Sequence, residues 1–291
     1  MSDRLAYFQA ADGITAVTLP FDYRQAIEDW GTLRRHMVRN IPEAFTRDEW
    51  AFLVTFLEQE NLDRLFLEAF GVGLAESVPP RRLYRPRGPI AAWLPNNVSL
   101  LGPLLLVTLS LTGQRTWLKL GSQADDLAGA FLDYARIHLP DGPLRQHLKN
   151  EVEAERVARD DPRQLEIAAA ARVRIVFGSD EAISAIEQMP HPVDSHTIAF
   201  ADHQSEAWLE PCVLDDEVLR TLIRVFAIYG QAGCTSPRRV VLLNSSPDDA
   251  LRLRDQLAAR ARPKPLRGFV NSRGSFHLPP NFSNKNFSHA K

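Results

Sequence analysis

The chain has 291 residues, 45% hydrophobic and 24% charged, with a formal net charge of −2. This is the make-up of a folded soluble protein of one large or two ordinary domains, and its charge balance excludes the basic footprint of a nucleic-acid binder. Two cysteines, Cys212 and Cys234, exclude a disulfide framework and point to a reducing, cytoplasmic setting.

The first residues, MSDRLAYFQAADG, lack the apolar core and cleavage site of a signal peptide. Residues 5–20 alternate weakly around Asp12-Gly13 and predict a hairpin. Ile27, Trp30, Leu33 and Val38 predict a helix over 22–39. A second helix starts near Thr46, where Glu49 completes a capping box, and residues 62–70 add a third. Pro79-Pro80 closes this region. Ile90–Leu94 then reads as an apolar strand. The most apolar run, Val98–Thr112, holds Gly102 and Pro103 and is too short to span a bilayer, so it reads as a buried helix. Strands at 116–119, 173–177 and 197–201 alternate with helices at 124–138, 145–158, 164–170 and 181–189. That order predicts an α/β fold with a mostly parallel sheet and helices on both faces. Further on, Asp215 or Asp216 caps a helix running to Tyr229. Val240–Leu243 is a strand, and Ser246-Pro247 opens a helix to Arg262. The last residues are rich in Asn and Ser, without periodicity, and read as a loose tail. The organisation expected is 1–78 hairpin and helices, 79–205 a nucleotide-binding α/β domain, 206–268 part of a catalytic domain, and 269–291 an irregular tail.

Four positions carry chemistry. Cys234 lies in Tyr229-Gly-Gln-Ala-Gly233-Cys234-Thr-Ser-Pro-Arg-Arg239, where two glycines let the chain bend and two arginines favour a thiolate. On the cysteine alone, a small buried hydrophobe is the plainer reading. Asn97, in the turn after the first parallel strand, can donate to a developing oxyanion or simply cap the next helix. Lys119 ends a strand, where open α/β sheets bind nucleotides; otherwise it is a solvated lysine. Gly178-Ser179 joins a strand to a helix whose first amides can hold a pyrophosphate, although no GxGxxG is present and many such turns bind nothing. No Cys/His cluster has metal-ligand spacing; His191, His196 and His203 read as loop or surface residues.

Taken in order, Pro95-Asn96-Asn97, Trp117-Leu118-Lys119, Phe177-Gly178-Ser179 and Gly230–Arg239 resemble the aldehyde dehydrogenase superfamily over about residues 81–245. Within it the chain is most similar to fatty acyl-CoA reductases of the bacterial luminescence type. The resemblance implies a Rossmann-like parallel sheet with an N-terminal helical region and an incomplete catalytic domain. It implies that Cys234 takes the acyl group from an acyl-CoA, and that Asn97 and the Cys234 amide form the oxyanion hole. It also implies that Lys119 holds the adenosine ribose and that Gly178 and Ser179 lie against the pyrophosphate. Ser122 replaces the acid that NAD-preferring relatives often carry, which favours NADPH over NADH. The family's general-base Glu is missing from Thr197–His203, as a thioester reductase permits. Relatives continue well past the nucleophile loop, so the chain reads as C-terminally truncated. A remnant that binds nucleotide or a partner subunit, and a CoA-acylating aldehyde dehydrogenase, are the competing functions. An uncovered apolar surface predicts poor solubility or a homo-oligomer.

Overall fold

The computed structural model describes residues 4–10, 13–71, 73–74, 82–122, 125–201, 205–211, 214–227, 237–261 and 287–289. The chain divides into two compact units, Met1–Ala201 and Asp202–Lys291.

The first unit opens with the expected hairpin: β1 (Arg4–Ala10) and β2 (Gly13–Leu19) pair antiparallel from Arg4↔Leu19 to Ala10↔Gly13. Helix α1 (Tyr23–Met37) is capped by Asp22, whose carboxylate accepts from the Arg24 amide at 3.0 Å. It ends in Arg34, Arg35 and His36, which oppose the helix dipole. Ile27, Trp30, Leu33 and Met37 recur at helical spacing and are buried. Helix α2 (Arg47–Phe56) carries the predicted capping box, the Thr46 side chain accepting from the Glu49 amide and Glu49 from the Thr46 amide. Helix α3 (Gln59–Phe70) follows, then the short strands β3 (Gly73–Leu74) and β4 (Arg82–Tyr84). They complete a sheet of order β3-β1-β2-β4.

The second half of this unit is β5 (Ile90–Trp93), α4 (Leu101–Ser110), β6 (Thr116–Leu120), α5 (Leu127–His138), α6 (Pro143–Asn150), β7 (Val152–Arg156), α7 (Pro162–Ala170), β8 (Val173–Phe177), α8 (Asp180–Glu187) and β9 (His196–Phe200). Its five strands run parallel in the order β7-β6-β5-β8-β9. Strand order reverses between β5 and β8. In open α/β sheets ligands bind outside the carboxyl ends of the strands at such a switch point. One sheet face, with Ala92, Leu118 and Ile175, joins the N-terminal hairpin and helices in a single core that includes Trp30, Trp50 and Phe131. Burying one such large side chain contributes about 1.5–3 kcal/mol. The other face, with Trp93, Trp117 and Val176, is covered by Ile167 and Ala168 of α7 and by Ile183 and Ile186 of α8.

The charged helix expected over 145–158 is two elements. Helix α6 stops at Asn150 and β7 begins at Val152. Local propensity favours helix there, but pairing with β6 from Thr116↔Val152 to Leu120↔Arg156 overrides it. Arg136 marks the break, donating to Leu148 O at 3.0 Å and Val152 O at 2.7 Å. Val152 then joins the core, while Glu153 faces Trp117 and Arg163.

In the second unit, β10 (Ser205–Leu209), β11 (Pro237–Leu242) and β12 (Phe287–His289) form a parallel sheet in that order, with α9 (Asp216–Ala227) and α10 (Pro247–Ala261). Asp215 is the cap of α9, accepting from the Glu217 and Val218 amides at 2.9 and 2.8 Å. Ser246 and Asp249 cap α10 reciprocally. Leu219, Leu222, Val240, Leu242, Leu253 and Leu257 make its core. The tail is not irregular throughout: Phe287–His289 pairs with Val240–Leu242, because β11 offers a free ladder on the side away from β10. Among the described residues no helix is long and apolar enough to cross a membrane.

Candidate functional site

The carboxyl ends of β6, β5 and β8 lie side by side, since Trp93 is in register with both Lys119 and Val176. Leu94 N donates to Lys119 O at 2.9 Å and ties the first two ends together. Lys119, Ser122, Asn97, Gly178 and Ser179 all follow from these three strands. The sheet therefore brings five of the six candidate residues to one edge. Cys234 and residues 228–236 around it lie outside the described residues.

Asn97 is exposed in the bend between β5 and α4. It is not the cap of that helix: the N-cap of α4 is Leu100, with no side-chain cap bond. Its neighbour Asn96 packs onto Gly121, where a Cβ would collide with the Asn96 amide oxygen. Only glycine permits this approach, which fastens the Asn96-Asn97 turn over the end of β6.

Lys119 is half-buried, and burial lowers its ammonium pKa from the ordinary value with no charged neighbour among the described residues to offset it. The nearest acid by register is Glu155, whose carboxylate is taken by Arg163 Nε at 3.0 Å. A half-desolvated cation without a counter-charge is suited to a hydroxyl or anionic ligand. Ser122, beyond Gly121, is exposed.

Across the switch point, Gly178 N donates to Phe200 O at 3.2 Å. A Cβ at Gly178 would stand 3.1 Å from the Ala182 methyl, so glycine allows α8 to start close against the end of β8. Ser179 is the N-cap of α8, its hydroxyl accepting from the Ala182 amide at 3.4 Å. Asp180 and Glu181 occupy the first turn. Glu181 is fully exposed, and its hydrogen bond with Ser179 draws its pKa below the usual carboxylate range. In the free protein an anion of the chain itself thus stands at this helix end.

Three residues went unrecognised in the sequence. Trp93 is buried between Lys119 and Val176 in register and donates from its indole to Gln164 at 3.3 Å. Asn96 and Arg174 act through contacts that no local pattern reveals. Among the described residues, no group of three His, Cys, Asp or Glu assembles as a metal site.

The family model for acyl-CoA reductase (LuxC) matches residues 25–265. Solved structures of similar fold include glyceraldehyde-3-phosphate dehydrogenase from Methanocaldococcus jannaschii, complexed with NADP. It is 13% identical, with a TM-score of 0.59 over 83% of this chain and 54% of that one. An NAD-dependent benzaldehyde dehydrogenase from Corynebacterium glutamicum is 12% identical, with a TM-score of 0.58 over 81% and 52%. Lactaldehyde dehydrogenase from Escherichia coli is 17% identical, with a TM-score of 0.53 over 82% and 51%. The chain spans about half the length of these proteins, and the likeness shows a shared aldehyde dehydrogenase fold. No curated protein sequence matches.

Proposed function

This chain belongs to the acyl-CoA reductase (LuxC) family, and from that we propose that it reduces a fatty acyl-CoA to the aldehyde through an acyl-enzyme on Cys234. The thiolate attacks the thioester carbonyl, and the coenzyme A thiol leaves with a proton. Asn97 and the Cys234 amide receive the oxyanion in this reading. When bound, a reduced nicotinamide dinucleotide would supply the hydride that releases aldehyde.

One observation carries the dinucleotide half of the reading. At the switch point of a parallel sheet stands a half-buried Lys119 ammonium without a counter-charge among the described residues, next to the Gly178-Ser179 helix start. Lys119 would hold the ribose hydroxyls, while Gly178 and Ser179 would lie against the pyrophosphate. Ser122 places no carboxylate where a 2′-phosphate would sit, so NADPH is the preferred donor. β9 offers Thr197, Ala199 and Phe200 but no Glu, so this strand supplies no carboxylate to activate water against an acyl-enzyme.

A second reading is a protein of this family that keeps the nucleotide fold without turnover, and the likeness to solved structures is a likeness of fold alone. Incubation with radiolabelled acyl-CoA separates the two. We expect a stoichiometric acyl-enzyme that disappears in Cys234→Ala and discharges as aldehyde on addition of NADPH. A folded wild type that takes no label leaves only the remnant.

A further inference from the structure

We propose that Arg174 is a positioning residue for the nucleotide site: buried beneath α8, it latches the far end of that helix so that Gly178 and Ser179 keep their aim. The assignment rests on the reading that these two residues receive the pyrophosphate.

Arg174 is the second residue of β8 and is 3% exposed, between strand neighbours that belong to the core. An interior position in a parallel strand normally holds an aliphatic residue. Exchanging a buried charge for a well-packed apolar side chain is often neutral or stabilising. The guanidinium is therefore poorly explained by stability, and one of its donors, Nε, has no hydrogen-bond partner among the described residues. Each terminal nitrogen makes a hydrogen bond. Nη1 donates to Ile186 O at 3.0 Å, in the last turn of α8. Nη2 donates to Thr197 Oγ1 at 2.8 Å on the edge strand β9. The side chain thus bridges the carbonyl end of α8 to β9 from the strand that leads into Gly178. A cation at a helix C-terminus is also favoured by the dipole.

The helix needs such a latch. It has eight residues, about 12 Å of rise, and only Ile183 and Ile186 are buried. Its amino end meets β8 through the close Gly178–Ala182 approach and the Gly178 N to Phe200 O bond. A tilt at the carboxyl end moves the Ser179 cap and the first-turn amides, because a short helix transmits the displacement whole. Arg174 reaches the ligand only through the helix.

The experiment compares Arg174→Met, Arg174→Lys and Thr197→Val in the full chain. NADPH binding is followed by its fluorescence and, separately, acyl-CoA labelling of Cys234 is measured without nucleotide. Arg174→Met should weaken NADPH binding about tenfold, the scale of one charge-assisted hydrogen bond. Its labelling should stay within about twofold of wild type, since nucleotide plays no part in that step. Arg174→Lys should recover part of the affinity, and Thr197→Val should lose about threefold by freeing one acceptor. Equal NADPH affinity in wild type and all three variants would overturn the assignment. So would parallel loss of labelling and binding in Thr197→Val, the mildest change, because that marks a general packing role. A wild type that binds neither NADPH nor NADH overturns the pyrophosphate reading itself, and the assignment with it.

Discussion

Lys119 and Glu181 give opposite signs to one prediction. The ammonium is half-buried without a counter-charge among the described residues, so Lys119→Ala removes a desolvated cation and should leave the melting temperature unchanged or higher. Affinity for NADPH should nonetheless fall about tenfold, for the loss of a charged donor to the ribose. Glu181 bonds to Ser179 at the helix end where a pyrophosphate would sit. Glu181→Gln removes the resident negative charge and should tighten NADPH binding by about threefold at low salt, less at high salt. Isothermal titration of both variants reads the signs directly. Weaker binding in Glu181→Gln would mean that the carboxylate helps to build the site rather than competing with its ligand. The strand-end positions of Lys119, Gly178 and Ser179 are legible in the sequence because local punctuation marks each. Gly121 and Arg174 are not. The first is required by Asn96, contributed by the neighbouring strand's loop, and the second by Ile186 and Thr197, so their meaning depends on tertiary contacts.

Elements show the same division. Helices α1 and α2 and strands β5, β6 and β8 were legible because apolar period and capping residues agreed with the final packing. β7 was hidden because its residues, Val-Glu-Ala-Glu-Arg, favour helix in isolation and become strand only beside β6. The helix before it holds a test of packing. His147 in α6 is buried against Phe21, ring centroids 5.8 Å apart, and its Nε2 has no partner among the described residues. Burial pushes its pKa down from 6.5 to about 4. Between those values the unfolded chain binds a proton that the folded chain refuses, so stability is full above pH 6.5 and is lost as pH falls toward 4. The loss reaches at most about 3 kcal/mol. Urea denaturation across this range should show the decline in wild type and a shallower one in His147→Leu. Identical slopes in both proteins would assign the acid sensitivity to other groups.

At the scale of the molecule, each compact unit has a core of its own. Met1–Ala201 holds the joint core of hairpin, helices and sheet together with the smaller cluster under α7 and α8. Asp202–Lys291 holds the cluster around Leu219, Val240 and Leu253. A unit of about 200 residues buries roughly 70% of the surface its unfolded chain exposes, enough for independent stability. Lys119, Asn97, Gly178 and Ser179 all belong to the first unit, and Cys234 belongs to the second. A fragment of residues 1–201 should therefore unfold cooperatively and bind NADPH within about threefold of the whole chain, while taking no acyl label. Its weak side is the edge strand β9, where Ile198 and Phe200 are exposed and Phe200 is stacked on Phe177 with centroids 4.4 Å apart. An exposed apolar edge invites pairing with another chain, so the fragment should associate at high concentration, and Ile198→Lys should suppress this without changing nucleotide affinity. Circular dichroism, gel filtration and NADPH titration decide the matter together. A folded fragment that fails to bind NADPH, beside a whole chain that binds it, would show that the nucleotide site draws on residues beyond Ala201.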